Sequence, residues 1–196
     1  MTDADIRGEL REHLRAYHWG DPDTVIIEEL GLRHGACRID LVVVNGILHG
    51  FELKSDSDTL RRLQRQAETY NKVLDCVTLV VGSRHLDKAT EMIPGWWGIR
   101  VAVGAEPQIT LQDVRPPKEN PSLDPLAIAR LLWREEALAL LGELGQATGL
   151  YSKPRGLIYA KLAMTSDIDF LRAGVRQRLK HREDWRSDRQ QVSGGG

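Results

Sequence analysis

The chain of 196 residues has only two cysteines, no long apolar run and almost no net charge. Two thiols, Cys37 and Cys76, cannot build a disulfide framework or a four-ligand zinc site. The longest apolar runs, Leu41–Val44 and Val77–Val81, fall far short of the ~20 residues that a membrane-spanning helix needs. The opening MTDADIRGEL is acidic and amphipathic, without an apolar signal core. These absences predict a soluble, cytoplasmic protein. There is no internal repeat. The net charge of −1 argues against a generic polyanion binder, but residues 1–150 carry 17 basic and 23 acidic side chains, and residues 151–196 carry 10 and 5. A basic C-terminal part permits a nucleic-acid partner without proving one.

What is present is an ordinary globular composition, 41% hydrophobic, with enough chain for one compact domain, alone or with a small appendage. Ile6, Leu10 and Leu14 fall on one face and predict a helix over 3–16. Gly20-Asp21-Pro22-Asp23 breaks it. Three strand-like runs follow, 24–29, 36–44 and 47–54, with Asn45-Gly46 as a hairpin turn between the last two. Ser57 or Asp58 caps a helix over about 59–74, with Leu60, Leu63, Ala67, Tyr70 and Leu74 inward. A buried strand over 77–82, a short helix near 86–93 and strands near 99–103 and 108–114 complete a unit over 1–115. The Pro-rich run 115–121 reads as a stiff linker to a helical, basic module over 116–196. There Asp124-Pro125 starts a helix that runs to the Gly142–Gly145 region. Two more helices cover 155–164 and 167–181, with Ser166 and Asp169 as a capping box. The closing SGGG reads as a flexible end.

The chemistry centres on Arg38-Ile-Asp40, then Glu52-Leu-Lys54. Residues two apart on a strand share a face, so Glu52 projects with Lys54 and Arg38 with Asp40. Buried charge is costly unless paired or metal-bound. A surface hairpin with salt bridges is one reading, but the all-apolar Leu41–Val44 suits a strand covered on both faces. The other reading is a metal site. Asp40 and Glu52 supply the hard oxygens that Mg²⁺ prefers, and Lys54 can orient water or stabilise phosphate charge. This is the minimal machinery for metal-assisted phosphodiester hydrolysis.

Asp40…Glu52-Leu53-Lys54 resembles the motif of the PD-(D/E)xK nuclease superfamily, with Ile39 where the family name has Pro. The predicted order αβββαβ matches that superfamily's core. Gln66-Ala-Glu-Thr-Tyr70, on the helix after the third strand, is similar to the QxxxY motif of RecB-type nucleases. The run from Gly50 to Leu60 also resembles a little-characterised family of bacterial and phage nuclease-like proteins. The resemblance implies an α/β fold, with a restriction-endonuclease-like core and mixed central sheet, followed by the C-terminal helices. It implies metal bound by Asp40, Glu52 and the Leu53 backbone carbonyl, with Mn²⁺ able to replace Mg²⁺. Catalysis would rest on Asp40, Glu52 and Lys54, with Gln66 and Tyr70 orienting Lys54 or touching a phosphate. Taken alone, Gln66 and Tyr70 read equally as a rim Gln and a core Tyr. Relatives often add an acid from the first helix or strand. Glu9, Glu12, Glu28 and Glu29 are candidates, with Glu29 the first choice. The implied activity is a Mg²⁺-dependent DNA nuclease, an endonuclease rather than an exonuclease. The alternatives are a non-catalytic nucleic-acid-binding protein and a partner-dependent subunit. A homodimer or a protein partner is compatible with all three.

One geometric constraint follows. A two-residue Asn45-Gly46 loop would pair Asp40 with Phe51 and send Asp40 and Glu52 to opposite faces. A shared site needs a three-residue loop or a bulge. A turn over Val44-Asn45-Gly46 with Gly46 at positive φ satisfies this and sets Arg38 opposite Glu52. Arg38 is then placed to pair with a carboxylate or contact DNA. Arg172, Arg176 and Lys180, each four apart, make a basic stripe on the last helix, either a DNA contact or a solvated face. His34, His49 and His85 read as surface residues, and Trp96-Trp97 as a packed corner.

Overall fold

The computed structural model describes residues 1–33, 35–105 and 108–182; His34 and the closing SGGG lie outside them. Helix α1 (Asp3–Tyr17) starts at a Thr2 cap whose side chain and that of Asp5 bond each other's backbone N–H. Ile6, Leu10 and Leu14 form its buried face, as the periodicity predicts. Strands β1 (Val25–Leu32), β2 (Cys37–Val44) and β3 (Leu48–Lys54) follow, then α2 (Leu63–Tyr70), β4 (Cys76–Gly82), α3 (Leu86–Met92), β5 (Gly98–Ala105) and β6 (Gln108–Arg115). The six strands form one sheet in sequence order. β1–β2, β2–β3 and β5–β6 pair antiparallel; β3–β4 and β4–β5 pair parallel. The fold is therefore mixed α/β with C-terminal helices. Among the described residues, no helix is long and apolar enough to cross a membrane.

The sheet has an apolar cluster on each face. On one side α1 packs on Leu41, Val43, Phe51, Leu53 and Val80. On the other, Val42, Val44, Leu79 and Val81 meet α2 and the C-terminal helices α4 (Pro125–Ala129), α5 (Arg134–Glu143), α6 (Arg155–Thr165) and α7 (Ile168–His181). This alternation is why Leu41–Val44 is apolar throughout. The second cluster runs without a break from Ile27 to Leu179, so the core crosses the 115/116 boundary. Residues 116–124 are tied down as well. Lys118 N–H donates to Trp96 O (2.8 Å), Asn120 N–H to Asp75 O (2.8 Å), and Asp124 N–H to Lys72 O (2.9 Å). The Asn120 side-chain amide donates to the carbonyls of Asn71 and Leu74.

Several local expectations need correction. The helix expected over 59–74 begins as a 3-10 turn at Leu60–Arg62 and ends at Tyr70. Asp58 does not cap it; its carboxylate accepts from Ser55 N–H (2.7 Å) and Ser55 Oγ (2.6 Å). The helix expected from Asp124 to Gly142 breaks between Ala129 and Arg134. The break lets both Leu131 and Leu132 be buried, and Glu136 Oε2 recaps the chain at Trp133 N–H (2.6 Å). Asp167, not Ser166, caps α7, while Ser166 Oγ donates to Leu162 O (2.7 Å). The Trp96-Trp97 corner is packed: Trp97 is fully buried and its indole N–H donates to Asn71 Oδ1 (2.8 Å).

Candidate active site

The β2–β3 hairpin decides the site. Val44 pairs with Leu48 and Leu41 with Phe51, so the loop is Asn45-Gly46-Ile47. It has three residues, as a shared site requires, but lies one residue later than expected. Gly46 is not among the positive-φ residues; Asn45 Oδ1 instead accepts Ile47 N–H (3.2 Å). Continuing this register sets Asp40, not Arg38, opposite Glu52.

The ladder between β1 and β2 skips the position where Glu29 would face Asp40. Glu29 has φ of 55°, a conformation that non-glycine residues rarely adopt and that often marks functional sites. Side-chain alternation breaks at the same point: Ile39 joins Val42 and Val44 on the α2 side, three residues from Val42 rather than two. Gly50 makes room for this crossing, since a Cβ there would lie 2.4 Å from Ile39 Cδ1. Asp40 is thus turned into the seam where β2 and β3 part. Its Oδ2 accepts Leu53 N–H (2.8 Å). Its Oδ1 accepts from Arg7 Nη2 (2.7 Å) on α1. Arg7 also reaches Glu29 (3.0 Å) and Asp3 (3.2 Å). Of the candidate acids, Glu29 is the one gathered with Asp40; Glu28 lies near Arg11, and Glu12 near Arg11 and Arg15. Sequence reasoning missed Arg7, which is 33 residues from Asp40 and looks like any solvent-side arginine of an amphipathic helix.

Glu52 projects toward α2 and is 1% exposed. Lys54 Nζ pairs with Oε1, as the i, i+2 spacing predicts. Gln66 Nε2 donates to the same oxygen (2.6 Å). Tyr70 Oη lies 2.6 Å from Glu52 Oε2 and 2.6 Å from the Arg38 carbonyl. Gln66 and Tyr70 therefore act on Glu52, one turn of helix apart. Burial, with the Asp40 charge, raises the Glu52 carboxyl above its ordinary range, and Lys54 offsets part of this. Burial and Glu52 also raise Tyr70. The Tyr70 hydroxyl faces two acceptors, Glu52 Oε2 and the Arg38 carbonyl, so its one proton is shared between them. Gln66 Oε1 is buried and, among the described residues, has no hydrogen-bond partner; the bond from Nε2 to Glu52 orients the amide.

Asp40 and Glu52 carry hard oxygens of the kind that Mg²⁺ takes; here Asp40 faces Arg7 and Leu53 N–H, and Glu52 faces Lys54, Gln66 and Tyr70. Among the described residues, no group of three or more His, Cys, Asp or Glu side chains converges on a metal-sized site.

The basic stripe of α7 points inward. Arg172 Nε donates to Asp75 Oδ1 (2.8 Å), Arg176 approaches Asp75 (3.9 Å) and Lys180 pairs with Asp23 (2.7 Å). These pairs tie α7 to Asp75, just before β4, and to the exposed Asp23, just before β1. Arg38, Arg61, Arg62 and Arg65 are exposed, the last three within five residues of Gln66 in sequence, and the Arg38 carbonyl meets Tyr70. His49, expected at the surface, is largely covered and bonds Thr78 Oγ1 (2.8 Å).

Similarity to known proteins extends over almost the whole chain. Protein cII of Enterobacteria phage P4 is 22% identical over 158 residues, covering 80% of this chain and 60% of that protein. The chain thus spans about 60% of the length of this relative. The family model described as bacteriophage P4 protein cII matches residues 1–191. The chain belongs to the bacteriophage P4 protein cII family.

Proposed function

We propose that the chain is a Mg²⁺-dependent DNA nuclease with a PD-(D/E)xK-type site on a restriction-endonuclease-like core, acting in the cytoplasm as an endonuclease. One observation carries this reading: Lys54, Gln66 and Tyr70, all parts of the motifs, converge on the buried Glu52 carboxylate. The order α1-β1-β2-β3-α2-β4 supports it further. Asp40, Glu52 and the Leu53 carbonyl would hold the cation, with Glu29 in reserve beside Asp40. When bound, the ion supplies Lewis-acid polarisation of the scissile phosphate. Lys54 would orient the attacking water and stabilise charge gained at phosphorus. Gln66 and Tyr70 would hold Glu52 in place. Arg38, Arg61, Arg62 and Arg65 would contact phosphates.

A second reading, a non-catalytic nucleic-acid-binding protein, draws on Arg7, whose guanidinium already serves Asp40 as a cation. Incubation of supercoiled plasmid with Mg²⁺ or Mn²⁺ separates the two. The nuclease reading expects nicking that EDTA stops and that Glu52→Gln and Lys54→Met each reduce by orders of magnitude. DNA binding without nicking, indifferent to both substitutions, would favour the second.

A further inference from the structure

A cleft of about 440 Å³ opens on the α1 side of the sheet, near the starts of β3 and β4, away from the face that carries Glu52. Its volume lies in the range of small-molecule sites. The rings of Phe51 and His49 stack in its wall, 4.3 Å apart and 26° from parallel. Burial, with the charges of Arg100 and His18, lowers His49 to about 4, so its ring is neutral near pH 7. Tyr17, 78% exposed, stands at the rim.

The wall is also electropositive. It contains Arg100, Arg115 and one carboxylate, Asp113. Arg100 Nε donates to Asp113 Oδ1 (2.6 Å), while Arg100 Nη1 is buried and, among the described residues, has no hydrogen-bond partner. Arg115 donates to the carbonyls of Trp97 (2.7 Å) and Pro94 (3.1 Å), and among the described residues no carboxylate pairs with it. Two arginines against one carboxylate in the wall, Arg100 paired with Asp113 and Arg115 bonded to main-chain carbonyls, leave a net positive charge beside aromatic rings, which suits an anionic head on a planar body.

We infer that this cleft binds a small aromatic anion of mononucleotide size, with its ring against Phe51, His49 and Tyr17 and its anionic group on Arg100 and Arg115. The inference is independent of the nuclease reading and involves no cleavage. The head group, phosphate or carboxylate, is settled by the choice of probe.

Calorimetric titration of the full chain uses adenosine monophosphate and 2-naphthoate as probes, with adenosine and inorganic phosphate as halves of the first. One probe should bind at least ~10-fold more tightly than either half. Tighter binding of the nucleotide identifies a phosphate head, and of naphthoate a carboxylate. Arg100→Gln should weaken binding by about 10-fold, and Asp113→Asn, at an exposed position, should tighten it by roughly 3-fold. Asp113→Asn keeps the inference testable should Arg100→Gln misfold, which circular dichroism would show. Failure of both probes to bind at millimolar concentration would overturn the inference. So would phosphate binding as tightly as the nucleotide, or affinity unmoved by Asp113→Asn.

Discussion

Leu53 N–H donates to Asp40 Oδ2 at 2.8 Å, so the residue between Glu52 and Lys54 is the hinge that joins the two halves of the site. Asp40 answers to α1 through Arg7, Glu52 to α2 through Tyr70, and the Leu53 main chain links them. Asp40→Asn keeps an oxygen for Leu53 N–H but turns its amide N–H toward Arg7 Nη2, while Arg7 retains Glu29 and Asp3. It should therefore cost metal-free stability about 1–2 kcal/mol, while abolishing stabilisation by Mn²⁺. Thermal melts with EDTA and with Mn²⁺ check this. A loss of several kcal/mol in EDTA, with wild type indifferent to Mn²⁺, would make Asp40 a structural ion-pair residue.

Glu52 sets a pH dependence of known sign. Its folded-state pKa is raised by burial, so its contribution to stability is fully present below the ordinary carboxyl value and is lost as pH rises through the folded value. Metal-free wild type should therefore lose stability relative to Glu52→Gln as pH rises above about 4.3, the ordinary glutamate value. Urea denaturation of both proteins in EDTA across that interval measures the difference. A difference that shrinks with rising pH would contradict the raised value.

The two sets of cations should respond in opposite ways. Arg172→Gln leaves Asp75, 2% exposed, without its main cation and should cost about 3 kcal/mol, with little direct effect on DNA affinity per folded molecule. Changing Arg38, Arg61 and Arg65 to Gln should leave stability within about 0.5 kcal/mol and flatten the salt dependence of DNA binding. Urea melts and binding isotherms at several salt concentrations separate the two. DNA binding lost through Arg172 and kept without the rim arginines would restore the α7 stripe as the contact surface.

Gly50→Ala tests the crossing of β2. Its methyl would meet Ile39 Cδ1 at 2.4 Å and Leu74 Cδ1 at 2.6 Å, inside a packed core, and should cost about 1–3 kcal/mol. A melt unchanged from wild type would show that Ile39 has room to yield.

Much of this arrangement was legible in the sequence because it rests on short periods. Ile6, Leu10 and Leu14 declare the buried face of α1, two-residue spacing joins Glu52 to Lys54, and four-residue spacing joins Gln66 to Tyr70. Parity alone required a three-residue hairpin loop. What escaped depends on partners distant in sequence. Arg7 meets Asp40 only once α1 lies on the sheet, and Arg172 meets Asp75 across 97 residues. A stripe of cations looks the same whether acids or solvent face it. The exact loop position turned on Asn45 bonding Ile47, a choice that strand patterning cannot make. The break after Ala129 reflects the burial of two adjacent leucines, which helical periodicity alone does not reveal.

The hydrogen bonds from Lys118, Asn120 and Asp124 to the turns before β4 and β5 have a consequence for how such a gene can change. A proline-rich joint looks like a natural place for recombination to exchange one tail for another. Here the joint is a clasp, and Asp75 lies beneath it, bonded at once to Leu48, Asn120 and Arg172. A foreign tail would arrive without the groups that Asp75 requires, leaving a buried carboxylate unpaired in the half that was kept. The two portions are therefore expected to be inherited together, and a protein cut at this joint should yield fragments that regain their fold only when mixed.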